Sequence, residues 1–516
     1  MKVPLNVADF LRRAVEVYPD RLALVDDPDA VGHLGRLTYR QLNSRVLNMA
    51  RMLEDMGVGV GDRVALISPN SGKFLVSYYA VSGYGRILVP ANYRLSSEEI
   101  EYIVDHSGSQ VVLVDKEFQH LVAGVNAKEV IVLDGIEDEA YFCELPEGKK
   151  PPTPWEGDED FTCSINYTSG TTARPKGVQM THRNAWLNAA MFGWHTTVTD
   201  RDVLLHTLPM FHCNGWGMPY AVTAMGGTHV IQRKIVGEQI LERVEQEGVT
   251  LACGAPAVWA ATLDAAEKRR ENGIDVPGRD LMRIVMAGAP PPSKTIERVE
   301  TELGWEFIQI YGLTETSPVL TVNRRRSEWD DLSIADRSKL LSRAGTPAIG
   351  TEITVDSQGE VLAKSNVVFG GYWNNPEATA EAMSGGVFHT GDGGYMTDGY
   401  LTISDRKKDV IITGGENVSS IEVEDALFQH PAVAEVAVIG VPSEKWGEEV
   451  KALVVLRPDG EVTDSELIEF CRTKIAHYKC PKSVEFRTEL ARTATGKLQK
   501  FKLRGPFWEG LERRVN

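Results

Sequence analysis

Short apolar runs rich in β-branched residues alternate with amphipathic helical stretches through roughly the first two thirds of the chain. RVALISPN (63–70), SQVVLVD (109–115), EVIVLD (129–134), HVIQRK (229–234), VTLACGAPA (249–257) and RIVMAGAP (283–290) read as buried strands. Between strands lie helical patterns such as LTYRQLNSRVLNMARMLEDMG (37–57). Strands that are apolar on both faces, separated by helices, predict doubly wound α/β subdomains with mostly parallel sheets. After about residue 343 the pattern changes to glycine-punctuated short strands, GTPAIGTEITVDSQGEVLAKSNVVFGGYW, which predicts a small β-barrel or sheet. From about residue 409 a third pattern, including SSIEVEDALFQH and VAEVAVIGVP, predicts a small α+β domain. The charged stretch SDRKKD (404–409) suits an exposed linker between the two.

At 516 residues the chain is too long for one core. Its 55 Lys+Arg against 72 Asp+Glu give a net charge of −17, which argues against a nucleic-acid surface because phosphate backbones select clustered positive charge. A nucleotide remains compatible, provided its local site is basic or rich in backbone N–H groups. The six cysteines are scattered without a C-x-x-C pair, which predicts reduced thiols in a cytoplasmic protein. Asp9, Arg12 and Arg13 interrupt the N-terminal apolar positions, unlike a signal peptide. No uninterrupted apolar run is long enough for an integral membrane helix.

YTSGTTARPKGV (167–178) combines hydroxyls, glycines and a lysine between two strand-like runs. It is not a Walker loop: Pro175 stands where the second glycine belongs, and Gly177 rather than Ser/Thr follows Lys176. The anion-holding logic survives, since glycines let backbone N–H groups converge, hydroxyls donate and Lys176 adds a point charge. Taken alone, such a dodecamer is more commonly a solvated Ser/Thr/Gly turn. Thr181 is placed to cap a following helix.

YTSGTTARPKGV closely resembles the signature loop of the adenylate-forming superfamily of acyl-CoA synthetases, peptide-synthetase adenylation domains and beetle luciferases. Further motifs of that superfamily follow in order along nearly the whole chain. IYGLTETSP (310–318) resembles its adenine-and-magnesium segment and MAGAPP (286–291) its adenine-side loop. FHTGD (388–392) is similar to its ribose segment, DRKKD (405–409) to its hinge, GGENVSS (414–420) to its thiol-tunnel loop, and ARTATGKLQK (491–500) to its C-terminal catalytic segment. The family commonly has glycine at Ala173 and proline at Ala491, so this chain departs there.

The resemblance implies an ATP- and acid-binding domain over 1–405 and a mobile C-terminal domain over 406–516, hinged near Lys408. It implies nucleotide contacts from Thr168, Ser169, Gly170, Thr171, Thr172, Lys176, Gly288, Ala289, Pro290, Tyr311, Gly312, Thr314, Asp392 and Arg406. Of these, Tyr311 would stack on adenine, and Asp392 would accept the ribose hydroxyls. Lys497, Thr168, Glu315 and Lys176 would serve catalysis, with Glu315 holding Mg²⁺. LPMFHCNGWG (208–217) resembles the pocket segment of fatty-acyl and aryl CoA ligases, which implies an acid pocket at His212, Trp216, Gly288 and Thr316. Amino-acid-activating relatives often place an aspartate after the phenylalanine; His212 after Phe211 disfavours an amino acid. Gly226 and Gly227 would leave room for a chain or ring. GVPSEKWGEEV (440–450) resembles a CoA-ligase stretch and, with the thiol-tunnel loop, implies a CoA tunnel at Gly414, Gly415, Glu416, Trp446 and Gly447.

The implied activity is AMP-forming ligation of a hydrophobic carboxylic acid to CoA, with ATP, Mg²⁺ and coenzyme A. Open alternatives are transfer of the acyl-adenylate to a carrier protein or partner enzyme, a luciferase-like oxygenase, and a non-catalytic acyl or nucleotide sensor; a homodimer is compatible with all of them. Other signals carry less. GVGVGD (57–62) follows a helix and precedes a strand, the reverse of a dinucleotide turn. His212 beside Cys213 has no orienting acid, Ser169 lacks the glycines of a nucleophile elbow, and no H-E-x-x-H spacing occurs.

Overall fold

The computed structural model of the chain describes residues 1–168, 175–406, 409–413, 416–443, 445–458, 460–492 and 498–509, with Arg406 described by its backbone. Two large sheets organise the N-terminal part. One runs in the spatial order Gly371–Tyr372, Lys176–Thr181, Thr162–Thr168, Ile87–Ala91, Arg63–Ile67, Ser109–Asp115, Glu129–Leu133. The other runs Thr346–Pro347, Val319–Arg324, Glu306–Gly312, Arg283–Met286, Leu251–Gly254, Val203–His206, Thr228–Ile231, Leu22–Val25, Arg36–Thr38. Central neighbours are parallel and antiparallel pairs lie toward the edges, as the strand–helix alternation predicts.

The apolar continuity of these strands has a direct cause. Along Arg63–Ile67, Val64 and Leu66 pack into a core shared with Leu204, Ile231, Val285 and Ile308 of the other sheet. Ala65 and Ile67 point the opposite way, into a second core under the helix Ser97–Ser107. Successive side chains of a strand alternate faces, so a strand covered on both sides must be apolar throughout. Helix Tyr39–Asp55 starts at a capping box between Thr38 and Gln41, and Gly57, at φ 72°, turns the chain into strand Arg63–Ile67. GVGVGD is therefore a helix-to-strand turn.

The glycine-punctuated region forms a four-stranded antiparallel sheet of Thr351–Val355, Glu360–Ser365, Phe388–Thr397 and Tyr400–Arg406. It curls, because Thr346–Pro347 lies against both of its edge strands and Gly345 bridges Leu401. The next strand, Ile411–Thr413, belongs to a separate sheet with Glu416–Val418, Gly447–Leu456, Val433–Ser443 and Ser483–Phe486. That sheet has its own core, which includes Ile411, Val423, Leu427, Val438 and Leu467. Among the described residues no helix is long and apolar enough to cross a membrane. All six cysteines are free thiols.

Candidate active site

Strand Thr162–Thr168 pairs antiparallel with Lys176–Thr181, with Thr168 directly opposite Lys176. The stretch YTSGTTARPKGV therefore spans a hairpin, and Ser169, Gly170, Thr171, Thr172 and Ala173 lie outside the described residues. Helix His182–His195 begins only after the second strand, behind a capping box of Thr181 with Asn184. A Walker loop instead runs straight into a helix N-terminus, which is why its spacing fails here. The hairpin base is clamped from outside: Tyr102 Oη donates to Pro175 O at 3.3 Å, and His106 Nδ1 meets Tyr167 Oη at 2.8 Å.

The loops 286–291 and 310–318 leave the C-terminal ends of two adjacent parallel strands, Arg283–Met286 and Glu306–Gly312. Ligands of open α/β sheets bind at that edge. Gly288, at φ 90°, and Pro290 are exposed, and Ala289 is half-buried, so this loop is open to a ligand. Gly312 admits no side chain, since an added Cβ would lie 1.5 Å from Pro318 O. Thr316 is buried with its hydroxyl engaged by its own turn, accepting from Leu313 N at 2.9 Å and donating to Pro318 O at 2.5 Å. Tyr311, Thr314 and Glu315 remain partly accessible around it.

Glu315 Oε1 accepts a hydrogen bond from Tyr372 Oη at 2.9 Å. Tyr372 is pinned because Gly371–Tyr372 pairs with Gln179 and Val178, and its N–H donates to Thr379 Oγ1 at 2.9 Å. Lys176 Nζ lies 4.9 Å from the centroid of the same Tyr372 ring, a cation–π contact. Burial, then the neighbouring Glu315, push the Tyr372 hydroxyl well up, so it keeps its proton and donates. Tyr372 thus joins Lys176 to Glu315. The reading of motifs missed it, because GGYW by itself signals only a glycine turn before an aromatic.

On the other side of the loop, Tyr311 Oη donates to Asp392 Oδ2 at 2.9 Å. Asp392 is 8% exposed, its N–H donates to Thr390 Oγ1 at 3.1 Å, and its backbone pairs with Arg406 across the hairpin. Motifs remote in sequence thus converge: Lys176, Tyr372 and Glu315 on one side, Tyr311 and Asp392 on the other.

The segment 208–217 is built under tertiary control. Asn70 Nδ2 donates to His206 O (2.8 Å) and Leu208 O (3.0 Å), while Asn70 Oδ1 accepts from Met210 N (2.8 Å). Cys213, Asn214, Gly215, Trp216 and Gly217 then all take positive φ, a run that side chains strongly resist. Asn188 holds the end of this run, its Nδ2 donating to Trp216 O at 3.0 Å and its Oδ1 accepting from Val319 N at 3.2 Å. Asn214 Nδ2 donates to Ser164 Oγ at 3.1 Å. Trp216 is 4% exposed, and Tyr78 and Tyr220 fill the same core. Tyr78 donates its hydroxyl to Met210 O and sits beneath Gly215. His212 is half-buried at the mouth of the segment. Burial, then Glu315, push the Cys213 thiol well up, which disqualifies it as a thiolate nucleophile.

Gly226 and Gly227 do not open room for an acid. Gly226, at φ 79°, closes helix Met218–Met225, and a Cβ there would strike the Tyr18 ring at 2.2 Å. A Cβ on Gly227 would meet Asp202 O at 2.7 Å, so both glycines serve close packing.

In the C-terminal part, Lys408, Gly414, Gly415 and Lys497 lie outside the described residues. Glu416 and Gly447 are exposed; Trp446 is 43% exposed, with Lys445 Nζ 4.7 Å from its ring centroid. Among the described residues no group of three or more His, Cys, Asp or Glu gathers as a metal cage. A single carboxylate such as Glu315 fits Mg²⁺, which is commonly held by one or two carboxylates together with substrate phosphates and water.

Residues 11–373 match the AMP-binding enzyme family and residues 422–497 match the AMP-binding enzyme C-terminal domain. The 4-hydroxybutyrate–CoA ligase 2 of Metallosphaera sedula is 37% identical, over 96% of this chain and 93% of that protein. A 2-methylpropanoate–CoA ligase of Humulus lupulus is 36% identical, over 97% and 95%. The crystal structure of an anthranilate CoA ligase in complex with anthranoyl-AMP superposes with a TM-score of 0.86 at 26% identity, covering 98% of each chain. With both family domains in order and CoA ligases matched from end to end, the chain belongs to the AMP-binding, adenylate-forming enzymes and is an ATP-dependent, AMP-forming acyl-CoA synthetase that uses Mg²⁺ and CoA.

Proposed function

We propose that the acid is small, a short aliphatic chain or a single ring, and that the converged motifs divide the chemistry as follows. The acid's carboxylate attacks the α-phosphorus of ATP; an acyl–O–P bond forms and the bond to pyrophosphate breaks. The thiolate of CoA then attacks the acyl carbon, and AMP leaves. Lys176 and the hairpin hydroxyls, including Thr168, face the phosphates, where negative charge gathers in the first step. Glu315, oriented by Tyr372, would hold Mg²⁺, which when bound neutralises phosphate charge. Asp392 and Arg406 hold the ribose, while Tyr311 is steered by its bond to Asp392. Lys497 delivers its ammonium in the first step and leaves when the C-terminal domain turns about Lys408. The position of Lys408, between the last strand of the curled sheet and the first strand of the C-terminal sheet, supports this hinge and the division at 405/406.

The observation that carries the small-acid reading is the packing behind Trp216. Tyr78 and Tyr220 have their rings 5.6 Å apart and are fully buried in the same core as Trp216, which supports a short pocket there. The acids named for the matched ligases, 4-hydroxybutyrate, 2-methylpropanoate and anthranilate, support the same size class. The six free thiols support a reducing compartment such as the cytoplasm.

The test is a panel of acids, from acetate to a long fatty acid with benzoate included, scored by AMP release with and without CoA. The proposal expects a maximum among small acids and AMP release that rises with CoA. A maximum at long chains overturns the pocket reading. AMP release indifferent to CoA points instead to a carrier protein or partner enzyme as acceptor.

A further inference from the structure

The helix Lys500–Arg504 follows an antiparallel bridge between Arg492 and Leu498, the residues that flank Lys497 in the sequence. Its first residue carries a deeply placed charge, the Lys500 side chain being 12% exposed. Lys500 Nζ pairs with Glu424 at 2.8 Å and donates to Ser420 Oγ. Ser420 in turn donates twice to Asp405 Oδ2, from its hydroxyl at 2.6 Å and its backbone N–H at 2.9 Å. One turn further on, Arg504 pairs with Asp409 at 3.0 Å. The C-terminal helix therefore grips the charged linker on both sides of Lys408.

These partners belong to different bodies. Asp405 lies in strand Tyr400–Arg406, paired with Gly393 in the curled sheet, next to the residue that pairs with Asp392. Glu424 and Ser420 lie on helix Ser420–Phe428 of the C-terminal domain. A turn about Lys408 leaves Asp405 behind and carries Ser420 and Lys500 away, so this contact exists in one arrangement only. Which arrangement is indicated by the tunnel residues: Glu416, Trp446 and Gly447 face solvent. The domain instead docks through Asp425, whose Oδ1 accepts from Ser293 N at 3.0 Å, just past the loop 286–291. The arrangement with Lys500 latched is thus not the one in which a thiol tunnel is assembled.

We propose that Lys500 is a positioning residue for adenylate formation: through Ser420 it latches the C-terminal domain to Asp405 beside the ribose strand, and so holds the segment bearing Lys497 in register with the nucleotide site. The inference rests on the hinge and on the role of Lys497 put forward above. Lys500 and Ser420 are engaged with Glu424 and Asp405, and they act by raising the population of the arrangement competent for the first step.

The experiment measures both half-reactions on the full-length chain: acid-dependent ATP–pyrophosphate exchange, and thioester formation from supplied acyl-adenylate and CoA. Lys500→Ala should lower exchange by about tenfold or more, because the half-buried carboxylate of Glu424 loses its cation and the latch opens. It should leave thioester formation within about threefold of wild type. Lys500→Arg should recover most of the exchange, because the charge returns at nearly the same reach. Ser420→Ala keeps the backbone bond to Asp405 and strands no charge, so it should show the same asymmetry in weaker form and decides the matter if Lys500→Ala fails to fold. Equal loss in both half-reactions, or no loss in either, overturns the latch. A wild-type chain that exchanges pyrophosphate with no acid refutes the adenylating scheme itself, and the latch with it, whereas an active wild type beside symmetric variants refutes the latch alone.

Discussion

Substituting Tyr372 by phenylalanine removes one oxygen and leaves the ring. The ring keeps its edge-on packing with Phe369 at 4.8 Å and its contact with Lys176 at 4.9 Å. Only the 2.9 Å bond to Glu315 Oε1 is lost. A hydrogen bond to a charged group contributes about 1.5–3 kcal/mol, and the half-buried setting argues for the lower end, about 1.5–2 kcal/mol. Expressed as metal affinity, that is roughly ten- to thirtyfold, in line with the effect of removing a partner that orients a metal ligand. The assay is a Mg²⁺ titration of acid-dependent ATP–pyrophosphate exchange. The half-saturating Mg²⁺ should rise by about tenfold while the rate at saturating Mg²⁺ recovers to within about threefold of wild type. Thioester formation from supplied acyl-adenylate should stay unchanged. Because burial and Glu315 push the tyrosine well above its ordinary range, wild-type Mg²⁺ affinity should show no tyrosine titration up to pH 10. A Mg²⁺ curve for Tyr372→Phe that superimposes on wild type would refute the assignment of Glu315 as the metal carboxylate held by Tyr372.

Three further outcomes follow from particular contacts. Gly312→Ala places a methyl 1.5 Å from Pro318 O, so the turn 310–318 must shift; a loss of about 3 kcal/mol or more in denaturant unfolding, with a raised KM for ATP, is expected. Asn188→Ala leaves Trp216 O and Val319 N buried without their partner, a loss of roughly 2–5 kcal/mol, and should change acid preference more than KM for ATP. Burial pushes His206 down to about 3 from 6.5, and its Nε2 meets His229 Nδ1 at 3.0 Å. The unfolded chain therefore takes up a proton that the folded chain refuses: stability is intact above pH 6.5 and falls as the pH drops toward 3, by about 2 kcal/mol at pH 5 from His206 alone. His206→Gln should narrow the gap between melting temperatures at pH 7 and pH 5, and an unchanged gap would remove His206 from the acid sensitivity.

The chain's sequence by itself determined the elements and the chemistry each could offer. Strand Arg63–Ile67 had to be apolar throughout because both of its faces are covered, and that pattern is visible residue by residue. Thr181 announced a helix start that forms with its capping box. The ordered motifs sufficed for the family and for the ligase activity, because local backbone requirements such as the bare Cα of Gly312 leave a local signature. Tertiary structure alone decided which groups meet. Tyr372 is 57 residues from Glu315, Tyr311 is 81 from Asp392, and Asn188 is 131 from Val319. Pairings of that kind are set by strand register and by the packing of one sheet on another, which no local window encodes. The left-handed run Cys213–Gly217 is the sharpest instance: local preference opposes it, and bonds to remote elements hold it, from Asn188 on helix His182–His195 to Trp216 O and from Asn214 to Ser164 on strand Thr162–Thr168. The two glycines at 226 and 227 teach the same lesson in reverse, since a small residue signals closeness of some kind, and only the fold shows that the neighbours are Tyr18 and Asp202 rather than a substrate.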